Sequence, residues 1–168
     1  MNQRIVAAVS VLLFAGVACL VGQDKVIEKA KVPAQVLKAF SDSYPNATVK
    51  AYKTEKEKGK IYFEIESVDG KMRRDLLYAP DGKVVEIEET VDMSQIPAAI
   101  SKALKKDFPS ASIIKSEKTT QGAAISYEFV LTSKKRKYEV AYSAEGKQLS
   151  KEEVKTKNEK EDNEEDDD

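Results

Sequence analysis

The feature that most constrains this chain is a stretch that occurs twice. Val32-Pro33-Ala34 through Tyr44-Pro45 returns as Ile96-Pro97-Ala98 through Phe108-Pro109, at an offset of 64 residues. The offset then holds without a gap as far as Glu89 and Glu153. Laid on each other, 32–90 and 96–154 share 14 identities in 59 positions, among them Pro33/Pro97, Pro45/Pro109, Glu64/Glu128, Tyr78/Tyr142 and Gly82/Gly146. Several of the remaining positions are conservative exchanges such as Val36/Ile100 and Tyr44/Phe108. Such a chain folds as two copies of one unit. Each copy has about 60 residues, near the lower limit for burying enough surface to stand alone, so the two are expected to pack together or share a sheet.

Within each copy the hydrophobic period changes once. Val36, Leu37, Phe40 and Tyr44 recur at intervals of three and four, and Ile96, Ile100, Leu104 and Phe108 repeat the stripe, which predicts one amphipathic helix per copy, the first from about Val32 to Ser43. Pro33 suits a first turn, and Pro45 ends the helix because the residue before a proline is pushed out of the α region. Ser94 or Asp92 can cap the second helix. Afterwards the period falls to two: Ala47-Val49-Ala51, Ile61-Phe63-Ile65, Leu76-Tyr78 and Val85-Ile87 alternate with polar residues, as half-buried strands do. Lys58-Gly59, Asp69-Gly70 and Asp81-Gly82 supply the turns. The second copy follows with Ile113, Ile125-Tyr127-Phe129, Tyr138-Val140-Tyr142 and Leu149, turning at Glu145-Gly146. The expected fold class is therefore α+β, two tandem repeats, each one helix packed on a four-stranded antiparallel sheet.

The flanks have other characters. Residues 1–23 form an expected signal peptide, with Arg4 before an almost uninterrupted apolar run from Ile5 to Val21. Cleavage after Ala18 or after Gly22 both suit the small residues there, and Gly16-Val17-Ala18-Cys19 also resembles a lipobox that would make Cys19 a lipidated N-terminus. Either way the chain is expected to be exported, periplasmic or secreted. Residues 24–31 are a charged lead-in, 32–90 the first repeat, 91–95 a linker and 96–154 the second repeat. Residues 155–168 form an expected disordered acidic tail, with eight acids and one lysine from Asn158 to Asp168. The overall net charge of −1 hides an imbalance, since 24–157 carry 26 basic and 21 acidic side chains.

Composition narrows the chemistry. There is no histidine, and the single cysteine, Cys19, lies in the leader, which removes thiol nucleophiles, zinc clusters and intramolecular disulfides from the folded part. No cofactor motif is present, and none is expected. Glu64 and Glu128 resemble the paired carboxylates of hydrolases, but each stands at the same place in its own repeat with no flanking motif, so a repeated structural charge is the expectation and an enzyme is not.

Two tandem helix-plus-strand units, each opening with (Val/Ile)-Pro-Ala and (Tyr/Phe)-Pro and closing with Tyr-x-x-(Asp/Glu)-Gly-Lys, resemble the PepSY-like family, which is described as similar to the β-lactamase inhibitor protein. The resemblance covers roughly 32–153. It implies an exported bacterial protein without known catalytic residues, whose sheet surface grips a partner protein in the inhibitor relatives.

The residues themselves point to the same surface. If Ile61, Phe63 and Ile65 face the helix, then Tyr62, Glu64 and Glu66 face away, with Tyr52, Arg73, Asp75, Leu77 and Glu86 beside them. Aromatic and arginine side chains on an exposed face anchor protein interfaces, whereas a solvated face with cross-strand charge pairs is the plainer alternative. Ser126, Glu128, Val130, Lys137 and Glu139 match in the second copy and are poorer in aromatics. The expected partner-binding set is Tyr52, Tyr62, Glu64, Glu66, Arg73, Asp75 and Leu77, and the expected partner an envelope or secreted protein or peptide rather than nucleic acid. The basic run Lys134-Lys135-Arg136-Lys137 falls at a hairpin tip, within reach of a polyanion or the chain's own tail. Weak calcium binding by the tail, without the fixed spacing of a calcium loop, is the rival use of charge.

Overall fold

The computed structural model describes residues 25–57 and 59–154. The signal peptide, Cys19 and the acidic tail lie outside the described residues, as does any calcium site on that tail. No helix among the described residues is long and apolar enough to cross a membrane.

After the two-residue strand β1 (Lys25–Val26) and a 3-10 turn at Lys29–Lys31 comes helix α1 (Ala34–Ser43), then β2 (Thr48–Glu57), β3 (Lys60–Asp69), β4 (Met72–Tyr78) and β5 (Val84–Thr90). A second 3-10 turn at Met93–Gln95 leads to α2 (Ala98–Asp107), β6 (Ser112–Gln121), β7 (Ala124–Ser133), β8 (Arg136–Ser143) and β9 (Gln148–Val154). The nine strands form one antiparallel meander in chain order. The α+β class is as expected, and of the two expected arrangements the shared sheet is the one found. The junction is the pairing of β5 with β6, in register at Ile87↔Thr120, Glu88↔Thr119, Glu89↔Lys118 and Thr90↔Glu117.

Helix α1 starts two residues later than the expected Val32, and α2 two residues after Ile96, because Pro33 and Pro97 are extended (ψ 141° and 139°) and stand just before the first turn rather than in it. Asp92 does cap, but it caps the 3-10 turn: its carboxylate accepts from the Ser94 amide at 2.8 Å while the Gln95 side chain accepts from the Asp92 amide at 3.2 Å.

Each helix covers its own part of a single sheet face. Val32, Val36 and Phe40 pack on Ile65, Leu76 and Tyr78, while Ile96, Ile100, Leu104 and Phe108 pack on Phe129, Leu131, Val140 and Tyr142. Burying each such side chain contributes about 1.5–3 kcal/mol. The close approach of helix and sheet depends on two glycines at equivalent turns. A Cβ built on Gly82 (φ +86°) would stand 2.7 Å from the Gln35 carbonyl oxygen, and one on Gly146 (φ +83°) 2.7 Å from that of Ala99. Gly122 (φ +60°) has nothing within 4 Å. Gly82→Ala and Gly146→Ala should therefore cost about 2 kcal/mol more than Gly122→Ala, which incurs only the left-handed backbone strain of about 1–2 kcal/mol. Urea denaturation of the three variants checks this ordering.

One repeated residue does different work in the two copies. Tyr142 Oη donates to Asp107 Oδ2 at 3.1 Å and so ties the sheet to the end of α2. Its counterpart Tyr78 is fully buried and, among the described residues, its hydroxyl has no hydrogen-bond partner. Ser43 stands where Asp107 would be. Tyr142→Phe should cost about 1.5–3 kcal/mol in thermal unfolding, and Tyr78→Phe should be neutral or stabilising.

Candidate functional site

With both helices on one face, the other face of the sheet has no covering element among the described residues, and cross-strand register determines what stands there. Pairing places Lys53, Glu64, Leu77 and Glu86 in one row across β2 to β5. The next row holds Ala51, Glu66, Asp75, Glu88, Thr119 and Ser126, and crosses the junction into β6 and β7. Thr90, Glu117, Glu128, Ala141 and Ser150 form a third row, and Lys115, Val130, Glu139 and Glu152 a fourth.

Six of the seven expected site residues lie on this face. Glu64, Glu66 and Asp75 are brought together, their carboxylate oxygens within 4.8 Å of one another. Tyr62 is half-buried opposite Glu55 at the β2–β3 end, and Arg73 is exposed opposite Val68. Leu77 is only 9% exposed, flanked in register by Glu64 and Glu86. Its place outside both apolar clusters agrees with its position on the helix-free face. Tyr52 is a correction. A β-bulge between Val49 and Ala51 shifts the alternation by one residue, so Tyr52 pairs with Ile65 and packs into the α1 core, while Ala51 turns to the helix-free face. All five matching residues of the second copy, Ser126, Glu128, Val130, Lys137 and Glu139, lie on this face.

The face is dominated by carboxylates set directly against carboxylates. Glu66↔Asp75, Asp75↔Glu88, Glu117↔Glu128 and Glu139↔Glu152 are four acid–acid pairs in register. Like charges directly opposite are destabilising in a sheet, so the arrangement runs against the local rule. Two lysines offset part of it. Lys53 Nζ bonds Glu66 and lies 3.3 Å from Glu64 Oε1, and Lys115 Nζ lies 2.6 Å from Glu117 Oε2. Burial opposes the charge of each lysine, yet the carboxylates hold both above the ordinary lysine range. The two lysines show what this surface does with a cation: it gathers carboxylates around it.

Toward the second copy the neutralisation thins to Lys115 on Glu117. Burial, reinforced by Glu128, Glu86, Glu117 and Asp75, pushes the Glu88 carboxyl up to about 8. Asp75 is raised by burial and then by Glu66, and Glu128 by burial and by Glu117, with a 3.2 Å hydrogen bond from Thr119 Oγ1 opposing the rise. Glu117 is only 8% exposed. A groove of ≈ 210 Å³ opens here, lined by Glu88, Lys115, Glu117, Glu128, Glu139 and Glu152 with Val130, Val140 and Ala141 among them. Asp75, Glu88 and Glu117 form a second set of carboxylates within 4.8 Å, sharing Asp75 with the first. Either set has the oxygen donors a hard cation takes, with Lys53 or Lys115 already beside it.

Glu88, Lys115 and Glu117 were not among the expected site residues. The signal was present: at the repeat offset, Glu117 stands where the first copy has Lys53. The repeated Glu64 and Glu128 thus face a lysine in one copy and a glutamate in the other. The polar contacts of this face include the Lys53 and Lys115 charge pairs and the hydrogen bond that Thr119 Oγ1 donates to Glu128.

The raised Glu88 sets a sign for stability. An unfolded glutamate loses its proton near 4.5 and the folded one near 8, so the unfolded state binds fewer protons in between and stability falls as pH rises through that window. Glu88→Gln removes that loss. The variant should match the native chain at pH 4 and exceed it by roughly 2–4 kcal/mol at pH 9, as read by urea denaturation.

Comparison with known proteins fits this geometry. A family model described as "Putative beta-lactamase-inhibitor-like, PepSY-like" matches residues 20–86 and again 68–150, as a chain with two copies of one unit would give. Among solved structures, a chain from Bacteroides eggerthii described as "putative periplasmic proteins" is similar at a TM-score of 0.62 and 16% identity, over 73% of this chain and 89% of that one. A BLIP-like protein from Bacteroides fragilis is similar at a TM-score of 0.58 and 16% identity, over 74% and 88%. A DUF2874 family protein from Bacteroides ovatus gives 0.60 and 15%, over 73% and 87%. Among curated proteins none matches the chain.

Proposed function

The chain belongs to the PepSY-like, beta-lactamase-inhibitor-like family, and from that premise we propose that it is an exported, non-catalytic binding protein whose helix-free sheet face takes a cationic segment of another envelope or secreted protein. The observation that carries the reading is the set of four in-register acid–acid pairs on that face. A sheet that keeps opposed carboxylates across its strands holds a standing electrostatic penalty, and a partner's arginine or lysine side chains relieve it. The groove suits them further, since Val130 offers apolar surface to an aliphatic stem while the carboxylates meet its charged end. Tyr62 and Arg73 flank the acid rows, and Glu64, Glu66, Asp75 and Leu77 belong to them, so these six remain the proposed partner-binding set of the first copy. Glu88, Glu117 and Glu128 extend it across the junction.

Export is supported by the apolar leader at 1–23 and by the periplasmic description carried by a neighbour of the same fold. The beta-lactamase-inhibitor-like description of the family supports a protein partner and an inhibitory or regulatory role. A second reading, a cell-envelope protein that buffers cations through its charged surface and tail, draws on the two carboxylate sets within 4.8 Å.

Binding of a hexa-arginine peptide to the full chain, followed through the backbone amide resonances of β4 to β7, separates these. Asp75→Asn combined with Glu128→Gln should weaken hexa-arginine at least tenfold, about 1.4 kcal/mol, and leave the melting temperature unchanged or higher because three of the four opposed pairs are relieved. An unaltered affinity in the double variant would overturn the docking reading. Calcium shifting the same resonances while the peptide does not would establish the buffering reading instead.

A further inference from the structure

The carboxylates of this face are close enough to share one chemistry, and that chemistry is acid–base as well as electrostatic. Glu88 occupies its centre. On β4 it is opposed by Asp75 and on its own strand it is flanked by Glu86. On β6 its register partner is Thr119, with Glu117 and Lys115 adjacent, and from β7 Glu128 acts on it. Lys115 alone in this group is positive, and it is engaged with Glu117 at 2.6 Å. Among the described residues the Glu88 carboxyl makes no hydrogen bond or ion pair. A half-buried acid facing four others can lower its energy in two ways, by keeping a proton or by gaining a cation.

We propose that protons and the partner's cationic side chain compete for the Asp75–Glu88–Glu117–Glu128 cluster, so that seating the partner expels a proton and acidification releases the partner. This rests on the cation-binding reading of the same face and adds its regulation. The physical basis is linkage: a ligand that prefers the ionised cluster binds more tightly as protons leave, and its binding pulls protons off. The midpoint of about 8 at Glu88 leaves about nine in ten of the molecules protonated there at pH 7, so the competition falls within the neutral range. Ordinary exposed carboxylates are almost fully ionised by about pH 6 and contribute no such dependence.

Hexa-arginine is the suitable probe, because arginine keeps its charge throughout the range and any pH dependence belongs to the protein. Its dissociation constant is measured by isothermal titration calorimetry from about pH 6 to pH 9 at fixed ionic strength, for the full native chain and for Glu88→Gln. The native chain should bind about tenfold more tightly per unit of pH below 8, up to about 100-fold across the range, and release up to about one proton per peptide at pH 7 when buffers of different ionisation enthalpy are compared. Glu88→Gln should flatten the profile, and thermal unfolding at pH 6 shows that the variant is folded. Binding that is flat with pH in the native chain overturns the competition and leaves the docking reading standing. So does a Glu88→Gln profile as steep as the native one. Absence of hexa-arginine binding at every pH overturns both together.

Discussion

The pairing of β5 with β6 is the constraint from which the rest follows. Without it each half of the chain would end in an unpaired edge, a row of exposed N–H and C=O groups open to other strands. Four register pairs close both edges at once and make a single sheet from two related halves. They also force both helices onto the same face, since each crosses from its own 3-10 turn onto the side its apolar stripe can bury. Among the described residues the opposite face is left bare of helices across the width of the sheet. Glu88 of the first copy thereby comes to stand beside Thr119 of the second, and the acids of both copies merge.

Duplication separates what the fold requires from what a site adds. Gly82 and Gly146 are repeated because a helix carbonyl lies 2.7 Å from any Cβ there, and the helix could not otherwise rest on the turn. Tyr78 and Tyr142 are repeated because both are buried cross-sheet anchors, although only Tyr142 finds a carboxylate. Lys53 and Glu117 occupy equivalent positions and are not repeated. That exchange turns a neutralised Lys53–Glu64 contact into the opposed Glu117↔Glu128 pair. Packing did not require it, since both positions lie on the face without helices.

The scaffold was legible because repetition and periodicity report burial. The stripes Val36-Phe40 and Ile100-Leu104, the alternation Phe63-Ile65 and Tyr138-Val140-Tyr142, and the glycine turns all stand where their pattern places them. Tyr52 was misplaced because a bulge inserts one residue without changing composition, and simple alternation cannot register it. Ala51 in the stretch Ala47-Val49-Ala51 fails for the same reason. Tyr62, Glu64, Glu66, Arg73, Asp75 and Leu77 share the helix-free face because strand parity survives wherever no bulge intervenes. The cluster at Glu88 and Glu117 was not legible, because it depends on which strand of one copy pairs with which strand of the other. A sequence read copy by copy contains no statement of that pairing, although the Lys53/Glu117 exchange marks one of its members.

The acid rows persist because another part of the sheet holds them in place. The apolar clusters under the two helices, with Ile65, Leu76, Val36 and Ile100 fully buried, lie on the opposite side and fix the register from there. A one-residue slip would relieve an acid–acid pair only by turning every core residue of that strand to solvent, a loss several-fold larger than the repulsion removed. The register is therefore set by the packed face and imposed on the bare one. Charge on the bare face is free to vary at little cost to the fold, and a face whose composition the core does not dictate is where selection for a partner can act. That the unconstrained face carries opposed acids, rather than the alternating charges that would stabilise it, is the reason we propose a cationic ligand for it.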